Sequence, residues 1–385
     1  MEKSKSKTTR DSNYELMRII SMLMIVIWHI LTHGQVVTGM TGISATIMKL
    51  LQTIIVIHVD SFILVTGYYQ CKNKFNFKKA ISLNNQSWFY RVVILFIMLG
   101  FDWIQVGKVE LFQMVFPLDF DAYWFVKMYL FLYCLSPFIN KLLKNLEKAQ
   151  FQKLLITLFI ILSVLPTFSM QTLYSDAGGY SLPFFVLLYL LGAYFRYYPI
   201  QKSRILKVNT EHKNQLLFLI IFIFLFTFNF LFHQFGTQLV AYNGELTKYF
   251  GDVITLDTFN YDNSFVLLGA LFYFFYFGTL HFQSNMINHI SSLTLGVYLI
   301  HDNPYIRQKL YPLLGFSEGN TYSGLKIFVK IFACALIIFI VCAIIEWIRQ
   351  LLFKGIKHLK ITKWIQNKWY HYIASLNSSK IEELE

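Results

Sequence analysis

Charge is what this sequence has least of. Asp, Glu, Lys and Arg make up 14% of its 385 residues, against 56% hydrophobic and 18% aromatic. So few charges cannot cover a soluble fold of this length, and the composition is that of a polytopic membrane protein. Glycine (19) and proline (7) are sparse too, which leaves no long flexible linker and no second soluble domain in view. Cys71, Cys134, Cys334 and Cys342 show neither a CxxC nor a Cys/His spacing, so no metal site and no disulfide framework is expected. Acids are outnumbered, and the net charge is +13. In a soluble chain that excess would point to nucleic acid. Here the basic residues gather in alternate loops, which fits membrane lipids as the partner and not nucleic acid.

What is present is a series of apolar runs. They predict an all-α polytopic integral membrane protein of about ten transmembrane helices. The runs lie near 14–34, 50–70, 86–105, 122–140, 152–170, 183–199, 215–235, 264–282, 288–303 and 324–349. The ninth is short and ends at Asp302, Asn303 and Pro304, so a partial or broken helix is expected there. Basic loops holding Lys72 to Lys79, Lys141 to Lys153, Lys202 to Lys213 and the C-terminal tail alternate with loops holding only Lys49, Lys108, Lys248, Arg307 and Lys309. That alternation puts both termini in the cytoplasm and the protein in the cell membrane as a multi-pass chain. The longest outer loop, 235–263, is expected to help select an acceptor. The basic start is followed by an apolar run too long for a signal-peptide core and without a small-residue cleavage site, so it reads as a retained helix. The chain divides into a transmembrane domain, 1–352, and a basic amphipathic cytoplasmic tail, 353–385, suited to the inner leaflet.

The first run carries Arg18 and His29. They are eleven positions apart, which returns them to nearly one helix face, about 16 Å apart along the axis. Arg18 then falls near the inner interface and His29 deeper, where an ionisable group marks a functional site by default. The plainer readings are an arginine that snorkels to headgroups and a histidine bonded to a neighbouring helix.

With that pair, three further stretches resemble the membrane-bound acyltransferase-3 family. They are HVDSFILVTGY at 58–68, YWF at 123–125 followed by YCLSPFIN at 133–140, and SSLTLGVYLIH at 291–301. Their order and spacing cover nearly the whole chain. The resemblance implies an acyltransferase that passes an acyl group, most often acetyl, from cytosolic acyl-CoA to a hydroxyl of a cell-envelope or exported glycan. Acyl-CoA would be a co-substrate, with no cofactor held permanently, and the glycan acceptor would be the second partner.

Such a reaction needs a base, a donor set for the thioester oxyanion, and positive charge for the CoA phosphates. His29 is the candidate base, since imidazole holds and releases a proton near neutral pH; the alternative is that it is itself transiently acylated. Arg18 would hold a phosphate or the carbonyl of the donor, with Glu15 one turn away to orient it. Arg91 reads as opening the third span on the cytosolic side. The family commonly has Arg-x-x-Arg there, and this chain has Trp88 in the first place. With Lys78 and Lys79, Arg91 would supply charge for the donor, or it is a plain anchor at the inner interface. His58, Asp60 and Ser61 are expected to line the site near mid-depth, with His58 and Asp60 on different faces. Tyr298 and His301, beside Asp302, would meet the acceptor from the outer side, and His33 would line the exit. Tyr123 and Trp124 either stack on a sugar or form an interfacial belt. A transporter of a polysaccharide or lipid-linked sugar is the main rival, with Arg18 and His29 as pathway residues. A membrane sensor or scaffold is the other.

Overall fold

The computed structural model describes residues 11–116, 123–168, 177–200, 211–242, 244–316, 322 and 324–357. In chain order its helices are α1 (Ser12–His33), α2 (Gly42–Ile55), α3 (His58–Gln70), α4 (Phe77–Gly100), α5 (Lys108–Val115), α6 (Trp124–Lys144), α7 (Lys148–Phe159) and α8 (Leu165–Phe168). They continue with α9 (Leu182–Tyr197), α10 (Glu211–Ala241), α11 (Glu245–Asp257), α12 (Ser264–Gly278), α13 (Asn285–Ser291), α14 (Thr294–His301), α15 (Pro304–Leu313) and α16 (Leu325–Lys357). Among the described residues the fold is all-α, with one isolated bridge between Met40 and Tyr322. Five helical stretches are long and apolar enough to cross a membrane: Ser12–His33, Gly42–Gln70, Lys148–Phe168, His212–Ala241 and Leu325–Gly355. Leu182–Tyr197 and Ser264–Gly278 are shorter apolar helices.

Local chemistry explains the breaks. The Gly42–Gln70 stretch is not one helix. The β-branched run Thr53–Ile57 weakens it, and a turn at Val56 and Ile57 separates α2 from α3. His58 opens α3 and donates from Nδ1 to the Ile55 carbonyl at 2.6 Å, satisfying a group freed by the turn. Inside α6, Pro137 has no N–H for the carbonyl of Tyr133, and the Ser136 hydroxyl takes that carbonyl at 2.7 Å. The ninth apolar run is broken at Ser292 and Leu293 into α13 and α14, and its polar end, Asp302 and Asn303, separates α14 from α15. The stretch 235–263, expected as an outer loop, is instead largely helical, formed by the end of α10 and by α11. Helix α16 continues beyond residue 352 to Lys357; the remainder of the expected tail, 358–385, and the loop around Lys202 lie outside the described residues.

Helix α1 is the centre of the packing and touches α2, α3, α12, α13, α14, α15 and α16. Its start is pinned by Asn13, whose amide donates to the Phe277 carbonyl at 2.8 Å. The closest pair is α3 with α9. A Cβ on Gly67 would stand 2.2 Å from the Tyr189 oxygen, and one on Gly192 2.1 Å from the Leu64 oxygen, so the two backbones touch through glycine on both sides. Far along the chain, Glu346 of α16 is fully buried and accepts from Gln86 (3.2 Å), Tyr90 (2.6 Å), Gln350 (2.8 Å) and, at two nitrogens, Arg349 (2.7 Å each). Its side chain lies where a Cβ of Gly296 would be, about 2.6 Å away, so α14 packs directly on this hub.

Candidate active site

A cavity of about 680 Å³ runs beside α1 and is lined at its two extremes by Arg18 and His33. Fifteen residues of helix separate them, about 22 Å of depth. Arg18, Lys79, Ser291 and Ser292 line one end; Trp124, Tyr180, Asp302 and Arg307 line the other, and His29 stands between. Arg18 Nη1 pairs with Glu15 at 3.3 Å, the i, i+3 partner expected from the sequence, and the pair is fixed because Ser291 donates to Glu15 from α13.

The protons around His29 can be followed from one carbonyl. A carbonyl only accepts, so His301 must donate from Nδ1 to Val297 O at 2.6 Å. A neutral His301 then has a lone pair on Nε2. His29 Nδ1 lies 3.0 Å from that atom and therefore donates to it. His29 is left with its own lone pair on Nε2, and its side chain lines the cavity. A base oriented by a second ring, itself oriented by the backbone, follows the logic of a nucleophile–base–orienter triad. Asp302 Oδ1 adds a negative charge 3.5 Å from His29 Nδ1, 3.7 Å from His33 Nε2 and 3.5 Å from Arg307. It would steady a positive charge that forms transiently on His29.

The three groups His29, His33 and Asp302 offer ligand atoms within 4.8 Å of one another. Arg307 already stands on Asp302, and His29 Nδ1 is committed to His301. The donor set therefore fits a hydrogen-bond relay better than a metal centre.

The half of the cavity at the Trp124 end is aromatic. Trp124 lies 4.4 Å from Tyr180 and 6.0 Å, stacked, from Tyr261, with Tyr180 and Tyr261 5.0 Å apart between centroids. Tyr261 also donates to His58 Nε2 at 3.3 Å, which fixes that histidine in the wall. Trp124 is thus a cavity residue. Its neighbour Tyr123 is neither belt nor sugar platform: it is 1% exposed, donates to Leu299 O at 2.7 Å and accepts from Asn303 at 2.9 Å, which pins the end of α14.

The expected residues divide. Arg18, His29, His33, Lys79, His58 and Tyr298 line the cavity. His301 stands behind His29. Lys78, one residue from Lys79 and so about 100° around α4, points into a separate cleft beside α16. Asp60 and Ser61 are buried in α3 and do not line the cavity; Ser61 donates to Ile57 O at 2.8 Å. Arg91 does not open its helix at the cytosolic side. It is the fifteenth residue of α4, 2% exposed, and its guanidinium donates to the Phe116 carbonyl, on the segment after α5 that folds back onto α4. It is not among the cavity's lining residues. Tyr180, Tyr261 and Arg307 were missed as site residues, because they lie in short connections or a short helix with no motif around them.

The fold and site are those of an all-α protein with membrane-length apolar helices and a polar-ended cavity beside α1. The model of the acyltransferase-3 family, described as an acyltransferase domain, matches residues 11–347. The chain belongs to that family, and the family carries an acyltransferase reaction. No significant match to a curated protein or to a solved structure was found.

Proposed function

We propose that the protein is a multi-pass membrane O-acyltransferase with about ten spans and both termini in the cytoplasm. It takes an acyl group, acetyl in the first instance, from cytosolic acyl-CoA and gives it to a hydroxyl of an envelope or exported glycan. The observation that carries this reading is the proton chain from Val297 through His301 to His29, which leaves His29 Nε2 as an acceptor on a cavity.

The donor enters beside Arg18 and Lys79, whose charges suit phosphate. The acceptor sugar stacks on Trp124 and Tyr180 from the other end. His29 Nε2 takes the hydroxyl proton as the oxygen attacks the thioester carbonyl. The C–S bond breaks as the tetrahedral intermediate collapses, and the CoA sulfur leaves with the proton that His29 returns. Asp302, 3.5 Å from Nδ1, stabilises the imidazolium between those events. An acyl-imidazole relay would use the same Nε2 as nucleophile. Donor charge is assigned to Arg18 and Lys79 and no longer to Arg91, whose guanidinium holds a backbone carbonyl.

The test is glycan O-acetylation in cells lacking their own copy, complemented with wild type or His29→Ala at equal membrane levels. Loss of ester groups with export intact supports the acyltransferase. Persistent acetylation with failed export makes His29 a pathway residue and the protein a transporter.

A further inference from the structure

Three rings from three helices stand side by side in the wall of the main cavity: Phe62 of α3, Phe125 of α6 and Tyr298 of α14. Phe125 meets both others edge to face, 6.2 Å from Phe62 and 5.9 Å from Tyr298 between centroids. Their depth follows from the chain. Phe62 is four residues beyond His58, Tyr298 is four before Asp302, and Ile25, which lines the same cavity from α1, is four before His29. Helix α3 runs away from the Trp124 end, since His58 meets Tyr261 while Tyr69 reaches Asp11 at the start of α1. The rings therefore form an arc about 6 Å from His29 on its Arg18 side. The arc is stiff. Phe125 also packs on Phe185 at 5.9 Å, and Tyr298 on Tyr123 at 5.9 Å, a ring that two hydrogen bonds hold in place.

A length argument, which rests on the donor reading above, fixes where the acyl group lies. Arg18 and His29 are about 16 Å apart along α1. The pantetheine arm of coenzyme A has about as many chain atoms as four extended residues and spans about 14 Å. A phosphate held at Arg18 thus brings the thioester to His29 with no slack to draw the acyl chain back. The chain then has the acceptor on one side and the arc of rings on the other. An acetyl group fits between them, but each further methylene must press into rings that are already packed against one another. We propose that Phe62 and Phe125 set the length of the transferred acyl group, admitting acetyl and excluding chains of butyryl size.

The experiment is isothermal titration calorimetry of the purified full-length protein in detergent with coenzyme A, acetyl-CoA and butyryl-CoA, which needs no acceptor. Wild type should bind acetyl-CoA about tenfold more tightly than butyryl-CoA. Phe62→Ala and Phe125→Ala should each bring the two thioesters within about twofold of one another, with free coenzyme A bound as in wild type. Phe125 carries more ring contacts than Phe62, so Phe62→Ala decides if Phe125→Ala no longer binds coenzyme A. Leu83→Ala enlarges the same cavity one turn from Lys79, away from the arc, and should leave the preference within about twofold of wild type. Equal binding of both thioesters by wild type, an unchanged preference in Phe62→Ala, or an equal change in Leu83→Ala would overturn the assignment while donor binding stands. Failure of wild type to bind any of the three ligands would instead remove the donor reading, and this inference with it.

Discussion

The two ends of the main cavity are built on opposite electrostatic principles. At one end Arg18 and Lys79 line the cavity, Arg18 is paired with Glu15, and among the described lining residues there the balance is positive. At the other, Arg307 cancels Asp302, His29 bonds His301 at 3.0 Å, and His29 and His33 each lie within 3.7 Å of that acid. An excess of fixed charge recruits an anion from water, whereas a neutral, oriented network handles a hydroxyl without binding a counter-ion. The difference teaches how one cavity could serve both substrates of the proposed reaction: on that reading, donor and acceptor are told apart by charge before either meets His29.

The comparison breaks most completely at its midpoint. His29→Ala removes the atom that both ends serve, and transfer measured with purified protein and labelled acyl-CoA should fall by roughly 10³-fold or more, with donor affinity intact. His301→Ala keeps His29 but frees its Nδ1 from an oriented partner. Transfer should drop on the order of 10²-fold, with KM for either substrate unmoved. A fall in donor affinity instead would assign His301 to binding.

Changes confined to one end should separate the substrates. Arg18→Gln removes a charge-assisted contact at the positive end and should raise KM for acyl-CoA about tenfold, leaving the acceptor KM alone. If the donor KM is unchanged, Arg18 serves only Glu15 and the headgroups. Trp124→Ala is the mildest: loss of a stacking face should raise the acceptor KM about three- to tenfold with no effect on the donor. A larger shift in donor than in acceptor KM would invert the assignment of the two ends.

Several of these features were open to sequence reasoning, for local reasons. The spacing of Arg18 and His29 puts them on one face of any helix. The Glu15 pair follows from i, i+3 geometry, and the polar end of the ninth run marked where α14 stops, though not the break between α13 and α14. Even the divergence of Lys78 and Lys79 follows from 100° per residue, although what each faces does not. The misreadings share one cause. Asp60, Ser61 and Arg91 were judged by depth in a span, and depth says nothing about which neighbour a side chain meets. Arg91 bonds a carbonyl 25 residues away on a segment that folds back, and Ser61 is absorbed by its own helix. The stretch 235–263 was read as an outer loop from its polarity, but Gly236 and Gly251 let α10 and α11 pack closely, with a Cβ on Gly251 only 2.5 Å from the Gly236 oxygen.

The sequence by itself determined that this is an all-helical membrane protein with an ionisable pair on its first helix, because apolar run length and helical periodicity are properties of neighbours along the chain. Only the tertiary structure decided which tautomer His29 adopts. That depends on His301, 272 residues away, and on a carbonyl one turn behind it. A proton's position is set by the partners around it, and those partners meet only when α14 is seated on Glu346 and pinned by Tyr123 against α1.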